Sequence, residues 1–200
     1  MNAKQFFLLL LVFSLIGFVI LVLFFRDNYL YDGALHLGMF SLALYGLWDK
    51  NLKTTLKKIG VPGEIKTNIL YFTGGLIALF TILFILGVVA MVAGFNDQSK
   101  VVDKIGALPW YILALAIFLA PVTEELLFRA FLVPRIGILF SALVFGIVHF
   151  SYGSIVEIVG VTAVGLLFGF IFKKSKSIIP TIAIHMVYNL LSIAIVKGGL

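Results

Sequence analysis

Three groups of polar residues inside long apolar runs could carry chemistry in this chain. Glu124, Glu125 and Arg129 lie in one such run, and His149 and His185 lie in two later ones. An ionised side chain at the centre of a bilayer costs about 2.5–3.5 kcal/mol on insertion scales, so such residues indicate a functional site. Carboxylates and imidazoles are also the side chains that most often transfer protons in catalysis. Together these groups suit the attack of an activated water on an amide bond.

The spacing in the first group divides its residues between two roles. Glu125 and Arg129 are four residues apart, so they are predicted to pair along one helix face and to lower the cost of burying either charge. Glu124 is rotated by about 100° from Glu125, which leaves its carboxylate free to face another helix. Pro121 removes a backbone hydrogen bond and is predicted to bend this helix near the glutamates.

The two histidines have the same four-residue spacing to a neighbour on their own helix. Phe145 precedes His149 and is predicted to form a wall beside it, and Asn189 follows His185. An amide and an imidazole can donate hydrogen bonds to a developing oxyanion, and each such donor is worth about 2.7–4 kcal/mol. His185 and Asn189 are therefore candidates for that role.

Depth along the helices predicts that these groups meet. At a rise of about 1.5 Å per residue, Glu124 lies about 16 Å, His185 about 14 Å and His149 about 18 Å from the predicted cytoplasmic end of its helix. Three separate helices need not have agreed in this way. The agreement supports a single site.

The composition identifies the class of protein that must position these residues. The chain has 200 residues, of which 62% are hydrophobic and 12% charged, and its mean hydropathy is +1.17. We expect an all-α, polytopic transmembrane bundle of about seven spans without a soluble domain. The absence of cysteine excludes disulfides and a cysteine nucleophile. The predicted spans are about 5–25, 29–48, 68–95, 109–133, 137–150, 155–172 and 178–196.

The loops between the spans predict the orientation. Lysines concentrate in residues 49–66 and 173–176, which indicates that these loops and the N-terminus are cytoplasmic. For the same reason the net charge of +6 does not indicate a nucleic-acid partner. Residues 49–60 predict a short amphipathic helix on the leaflet, started by Asp49 and ended by Gly60, with a solvated connector as the alternative.

The three motifs resemble those of a known family of membrane proteases. Glu124-Glu125-x-x-x-Arg129, Phe145-x-x-x-His149 and His185-x-x-x-Asn189, in this order on successive apolar helices, are similar to the motifs of the CAAX-prenyl-protease and bacteriocin-processing (Abi) family. The resemblance covers about residues 108–191. It divides the chain into N-terminal transmembrane helices with the amphipathic segment, 1–107, and a catalytic helical core, 108–196.

The resemblance implies a mechanism and a substrate class. Glu124 would activate water with His149, and His185 with Asn189 would stabilise the oxyanion. The family is described as glutamate intramembrane proteases, which implies no cofactor, a peptide or protein substrate that can be lipidated, and residence in the bilayer, in the plasma membrane if the source is prokaryotic. Its structural supports would be Glu125, Arg129 and Phe145.

Three alternatives stay open from the sequence. A zinc-dependent protease could use Glu124, His149 and His185 as ligands, since three protein ligands and a water are a common catalytic set. A non-catalytic scaffold or bacteriocin-immunity protein could keep the same motifs. A transporter could use Glu124 as a proton relay, although that function predicts inverted repeats and none is detected. His36 is expected to be structural and Glu157 to lie at the membrane interface.

Overall fold

The structure, a computed structural model, describes residues 29–49 and 51–198. All regular secondary structure in these ranges is helical, which confirms the predicted all-α class. The predicted first span, about 5–25, lies outside the described residues. The elements are α1 (Tyr29–Leu47), α2 (Leu52–Lys58), α3 (Ile65–Val92), α4 (Ser99–Ala107), α5 (Trp110–Phe118), α6 (Ala120–Glu125), a π-helical segment (Leu126–Leu132), α7 (Val133–Val148), a 3₁₀ turn (His149–Tyr152), α8 (Ile155–Ser175) and α9 (Ile179–Gly198).

Four described helical stretches are long and apolar enough to cross a membrane. They are α3, the continuous run Trp110–Tyr152, α8 and α9, while the apolar part of α1, Leu35–Leu47, is shorter. The 43 residues of the continuous run would extend about 65 Å if straight, roughly twice the hydrocarbon thickness of a bilayer. The backbone of Gly137, with φ of 84° and ψ of 169°, breaks the helix inside that run. The run therefore corresponds to the predicted fourth and fifth spans, which meet near Gly137.

The π-helical segment follows the two glutamates directly. Pro134 lies two residues after the end of the segment. As a proline it has no N–H, so it cannot donate the backbone hydrogen bond that an α-helix would have at this position. Side chains bind backbone carbonyls in this stretch: the Ser141 hydroxyl donates to the Phe128 carbonyl at 2.7 Å, and the Arg135 guanidinium donates to the Phe131 carbonyl at 2.6 Å. π-Helical turns are frequent at functional sites.

Helix α1 packs against this segment and forms the main core with it. Leu47 of α1 is buried together with Phe128 and Phe131 of the π-helical segment. Gly46 allows the approach, because a Cβ there would overlap the Phe131 ring. Arg135 adds a tie by donating to the Gly46 carbonyl at 2.9 Å.

Helix α8 packs closely on α7 through small residues. A Cβ built on Gly165 would lie 3.1 Å from the Ala142 Cα atom, and one built on Gly169 would lie 2.7 Å from Ile138 Cγ2. The spacing Gly165-x-x-x-Gly169 is typical of such contacts between transmembrane helices. The other side of α8 packs on α3 and α9.

The lysine-rich end of the bundle is joined by the loops around α2 and before α9. The Ile178 N–H donates to the Ile59 carbonyl at 3.2 Å. The cap of α2 differs from the prediction: Asn51, two residues after Asp49, accepts a hydrogen bond from the Thr54 N–H. Asn51 is the residue next to the first helical position, which is where a cap must stand.

The opposite end is held by Asp97, which lies between α3 and α4. Its carboxylate accepts hydrogen bonds from the Ile155 N–H at 2.6 Å and from the Ser154 hydroxyl at 2.8 Å. The hydrogen bond from Ile155 is the main cause that lowers the pKa of Asp97 below its ordinary value of 3.8. These bonds fasten the start of α8 to α4.

Candidate active site

An ion pair lies at the buried junction of α6 and the π-helical segment. The Arg129 Nε atom is 3.1 Å from Glu125 Oε2, and the two residues are 1% and 0% exposed. The guanidinium carbon also lies 4.2 Å from the centre of the Phe145 ring and 5.2 Å from that of Phe168. Aromatic faces attract a cation, so the rings add to the stabilisation that Glu125 provides.

His185 of α9 lies between the two glutamates. Its Nδ1 atom is 3.2 Å from Glu125 Oε1, and its Nε2 atom is 3.8 Å from Glu124 Oε2. An ionised carboxylate can only accept, so Nδ1 carries a hydrogen in the contact with Glu125. With both nitrogens protonated, His185 and Arg129 would balance the two carboxylates. We call Glu124, Glu125, Arg129 and His185 the charge cluster.

His149 lies where α7 ends and the 3₁₀ turn begins. Its Nδ1 atom is 2.8 Å from the carbonyl oxygen of Phe145. Because a carbonyl can only accept, Nδ1 is the protonated nitrogen and neutral His149 keeps Nε2 as an acceptor. The Phe145 ring lies 4.9 Å from the His149 ring and 6.2 Å from the His185 ring, centre to centre, so it packs near both imidazoles.

Asn189 ties α9 to the end of α5. Its amide nitrogen donates to the Ala116 carbonyl at 2.8 Å. A side-chain amide has two N–H groups, so one donor is left over from this bond. Asn189 stands one turn after His185 on the same helix, as its spacing predicted.

A cavity of about 610 Å³ brings the sequence-predicted residues together. This volume lies within the range of small-molecule and peptide-fragment pockets. Within the described part of the chain, Glu124 pairs with His185 and forms no ion pair with His149. Glu125 and Arg129 are packed behind the cavity wall. The wall includes Glu124, Phe145, His149, His185 and Asn189.

The cavity lies in the half of the bundle that contains α4. Its wall is built from α4, the C-terminal half of α3 and the C-terminal half of α9, and it contains no residue of the lysine-rich loops. The orientation predicted from the lysines places α4 on the extracytoplasmic side.

Two residues that were expected to be structural or interfacial line the cavity. His36 of α1 lies 2.8 Å from the Thr123 hydroxyl through Nδ1, and Glu157 of α8 hydrogen-bonds to Gln98. No spacing in the sequence connects His36 with Thr123, because 87 residues separate them. Glu157 had one signal, its position inside the apolar run of α8.

The arrangement of these residues does not suit the binding of a metal ion. No three histidine, aspartate or glutamate side chains converge for metal binding in the ranges 29–49 and 51–198. The set Glu124, His149 and His185 is therefore not gathered as a ligand shell. We therefore derive no step through zinc, and independence from a cofactor stays a prediction.

Comparison with known proteins finds one family that matches the part of the chain with the three motifs. Residues 106–191 match the family model described as Type II CAAX prenyl endopeptidase Rce1-like. Comparison with curated proteins and with solved structures gave no match. The match runs from the end of α4 into α9 and includes all three motifs. The resemblance seen in the motifs is therefore confirmed over residues 106–191, which are similar to the Rce1-like type II CAAX prenyl endopeptidase family.

Proposed function

We propose that the protein is an intramembrane endopeptidase in which Glu124 and His149 activate a water molecule. The observation that carries this proposal is the wall of the cavity. A carboxylate, two imidazoles and an amide face one space inside helices that are apolar enough to span a membrane. The family that residues 106–191 match is a family of endopeptidases.

The attacking water needs two acceptors for its two hydrogens. The Glu124 carboxylate is one, and the Nε2 atom of neutral His149 is the other, since its Nδ1 donates to the Phe145 carbonyl. With both hydrogens held, a lone pair of the water oxygen points at the peptide carbonyl. Glu124 takes the proton as the oxygen–carbon bond forms.

The carbonyl oxygen becomes negative in this step and needs donors. We assign that role to His185 and to the second N–H of Asn189. Nε2 of His185 is 3.8 Å from Glu124 Oε2. The carbonyl oxygen of the substrate can lie beside this gap, about 2.8–3.0 Å from both atoms. Glu125 holds Nδ1 of the same ring, so the imidazole cannot turn away from the cavity.

The proton on Glu124 completes the reaction. As the carbon–nitrogen bond breaks, Glu124 returns the proton to the leaving amine, and the second hydrogen of the water stays on the new carboxyl group, so that the products are a carboxylic acid and an amine. No group from outside the chain is needed apart from the water. Glu125 and Arg129 stay paired throughout and act as structural supports, as does Phe145.

A lipid-linked peptide is the substrate class we favour. The name of the matched family refers to a prenyl endopeptidase, and much of the cavity wall is aliphatic. Leu83 and Leu86 of α3, with Val161 and Val164 of α8, provide apolar surface for such a chain. Apolar area of this kind contributes about 25 cal/mol per Å² that is removed from water.

We further propose that the cavity lies in the extracytoplasmic half of the bilayer, on the side of α4. The natural chain has no cysteine, so single cysteines report on sidedness without interference. If α4 is extracytoplasmic, Asp103→Cys in α4 reacts with an impermeant thiol reagent in intact cells, and Lys58→Cys in α2 reacts only after permeabilisation. The reverse pattern would contradict the lysine-based orientation and place the cavity on the cytoplasmic side.

The function is tested by proteolysis with purified protein in detergent, using prenylated peptides that end in a CAAX sequence. Glu124→Gln should reduce kcat by about 10²–10⁴-fold, the usual contribution of a general base. Glu64→Gln is the matched control, because Glu64 is exposed on the lysine-rich side. Cleavage by Glu124→Gln at the wild-type rate would exclude the glutamate mechanism.

A chelator separates this proposal from the zinc alternative. We expect activity to survive a strong zinc chelator. Loss of activity that zinc restores would support a metalloprotease instead. Absence of cleavage by wild-type protein across a panel of prenylated peptides would favour the scaffold alternative.

A further inference from the structure

His36 belongs to α1, which lies outside the part of the chain that matches the endopeptidase family. It nevertheless contacts the residue that precedes Glu124: its Nδ1 atom is 2.8 Å from Thr123 Oγ1. His36 is half-buried and lines the same cavity as Glu124 and His185. A third imidazole therefore stands in the wall of the proposed site.

The hydrogen bonds of Thr123 determine which nitrogen of His36 is protonated. The Thr123 hydroxyl lies 3.0 Å from the Ala120 carbonyl and 3.3 Å from the Leu119 carbonyl, and its single hydrogen is donated to one of them. Its oxygen must then accept in the contact with His36, so Nδ1 of His36 is the donor. Neutral His36 keeps a lone pair on Nε2, and within the described residues no side chain or backbone group donates to it.

A peptide held in an apolar cavity needs partners for its backbone. Each buried N–H without an acceptor costs free energy, about 1–3 kcal/mol in protein data. In the proposed mechanism, His185 and Asn189 serve the carbonyl of the scissile bond, which leaves the neighbouring N–H groups of the substrate. A neutral acceptor in the wall is the group that such an N–H requires.

We propose that His36 is a substrate-binding residue whose Nε2 atom accepts a hydrogen bond from a backbone N–H of the bound peptide. This inference rests on the proposed peptidase function and adds α1 to the site. Thr123 sets the orientation of the ring and is a positioning residue, because it acts through His36. The contact would hold the peptide in register beside Glu124.

The contact is tested with peptides that are N-methylated at one backbone amide at a time. For wild-type protein, methylation of one amide near the scissile bond should raise KM about 10-fold, the value of one neutral hydrogen bond, and change kcat less than twofold. His36→Phe should raise KM for the plain peptide by a similar factor. The same methylation should then have no further effect on His36→Phe, because the acceptor is already absent.

A second variant and a binding assay keep the test independent of folding and of turnover. His36→Gln places an amide oxygen near the Nε2 position and should recover part of the wild-type KM. Affinity of the same peptides for the Glu124→Gln protein, with and without His36→Phe, gives this comparison without hydrolysis. A failure of hydrolysis is thereby distinguished from a failure of the contact.

Two results would overturn the inference. One is an equal effect of N-methylation on the His36→Phe and wild-type proteins at every position. The other is a loss of kcat and of thermal stability in His36→Phe and His36→Gln alike without a change in KM, which is the result of a purely structural role.

Discussion

In the charge cluster and in the Asp97 site alike, a carboxylate joins separate helices. The two carboxylates differ in how deeply they are buried. In the cluster, Glu125 joins the π-helical segment to α9 through Arg129 and His185, with Glu125 fully buried. At the end of the bundle, Asp97 joins α4 to α8 and is half-buried. Each carboxylate connects parts of the chain that are distant in sequence.

Burial makes the consequences of losing the two carboxylates very different. Removing one partner of a buried pair leaves an unpaired charge and costs about 3–5 kcal/mol, although the intact pair adds little net stability. Asp97 is half-buried and accepts hydrogen bonds from neutral groups, so its loss leaves no unpaired charge behind and costs less. The charge cluster is thus expensive to bury and adds little net stability, which fits a role in chemistry.

The largest expected effect comes from breaking the buried pair on one side. Arg129→Met should lower the free energy of unfolding in detergent by about 3–5 kcal/mol, because the buried Glu125 loses its arginine and keeps only the contact with His185. The double variant Glu125→Gln with Arg129→Met should recover most of this loss. Equal destabilisation of the single and double variants would show that packing, and not charge, holds this junction.

An intermediate effect is expected at the contact between α8 and α7. Gly169→Ala should destabilise the protein by about 1–3 kcal/mol, because its Cβ would lie 2.7 Å from Ile138 Cγ2. Gly74→Ala in α3 is the matched control, since a Cβ there meets no atom within 4 Å. Thermal unfolding of both variants measures the difference, and equal unfolding temperatures would contradict close packing at Gly169.

The smallest effect is expected at the Asp97 site and depends on pH. The pKa of Asp97 is lowered in the folded protein, so its stabilisation is present above the unfolded value of 3.8 and disappears as the pH falls through the folded value. Asp97→Asn should therefore unfold at a slightly lower temperature than wild type at pH 7. The difference should shrink below about pH 4, and a difference that persists there would exclude the carboxylate as its cause.

Spacing within one helix was a reliable guide to the charge cluster. The four-residue interval predicted that Glu125 would pair with Arg129 and that Glu124 would be turned away from it. Counting residues from the loops also placed Glu124 and His185 at similar depths, and the structure has them in contact. These predictions depend on α-helix geometry, and the pair of Glu125 with Arg129 forms although a π-helical segment begins at Leu126.

Contacts between distant helices could not be predicted in this way. His36 pairs with Thr123 because α1 packs against α6 and the π-helical segment, and no local pattern encodes that choice. The π-helical turn also escaped prediction, because its cause lies in the missing N–H of Pro134 and in the Arg135 and Ser141 side chains, which donate to backbone carbonyls of the segment. Whether His149 acts with Glu124 stays a prediction, as do the boundary near residue 107 and the catalytic roles.

The central claim is that two adjacent glutamates do different work, Glu124 in the reaction and Glu125 in holding Arg129 and His185. The direct test measures both the unfolding temperature and the rate of peptide cleavage for Glu124→Gln and Glu125→Gln. We predict that Glu124→Gln unfolds close to the wild-type temperature with kcat lowered by about 10²–10⁴-fold, while Glu125→Gln unfolds at a clearly lower temperature. Equal destabilisation of the two variants, or wild-type cleavage by Glu124→Gln, would contradict this division.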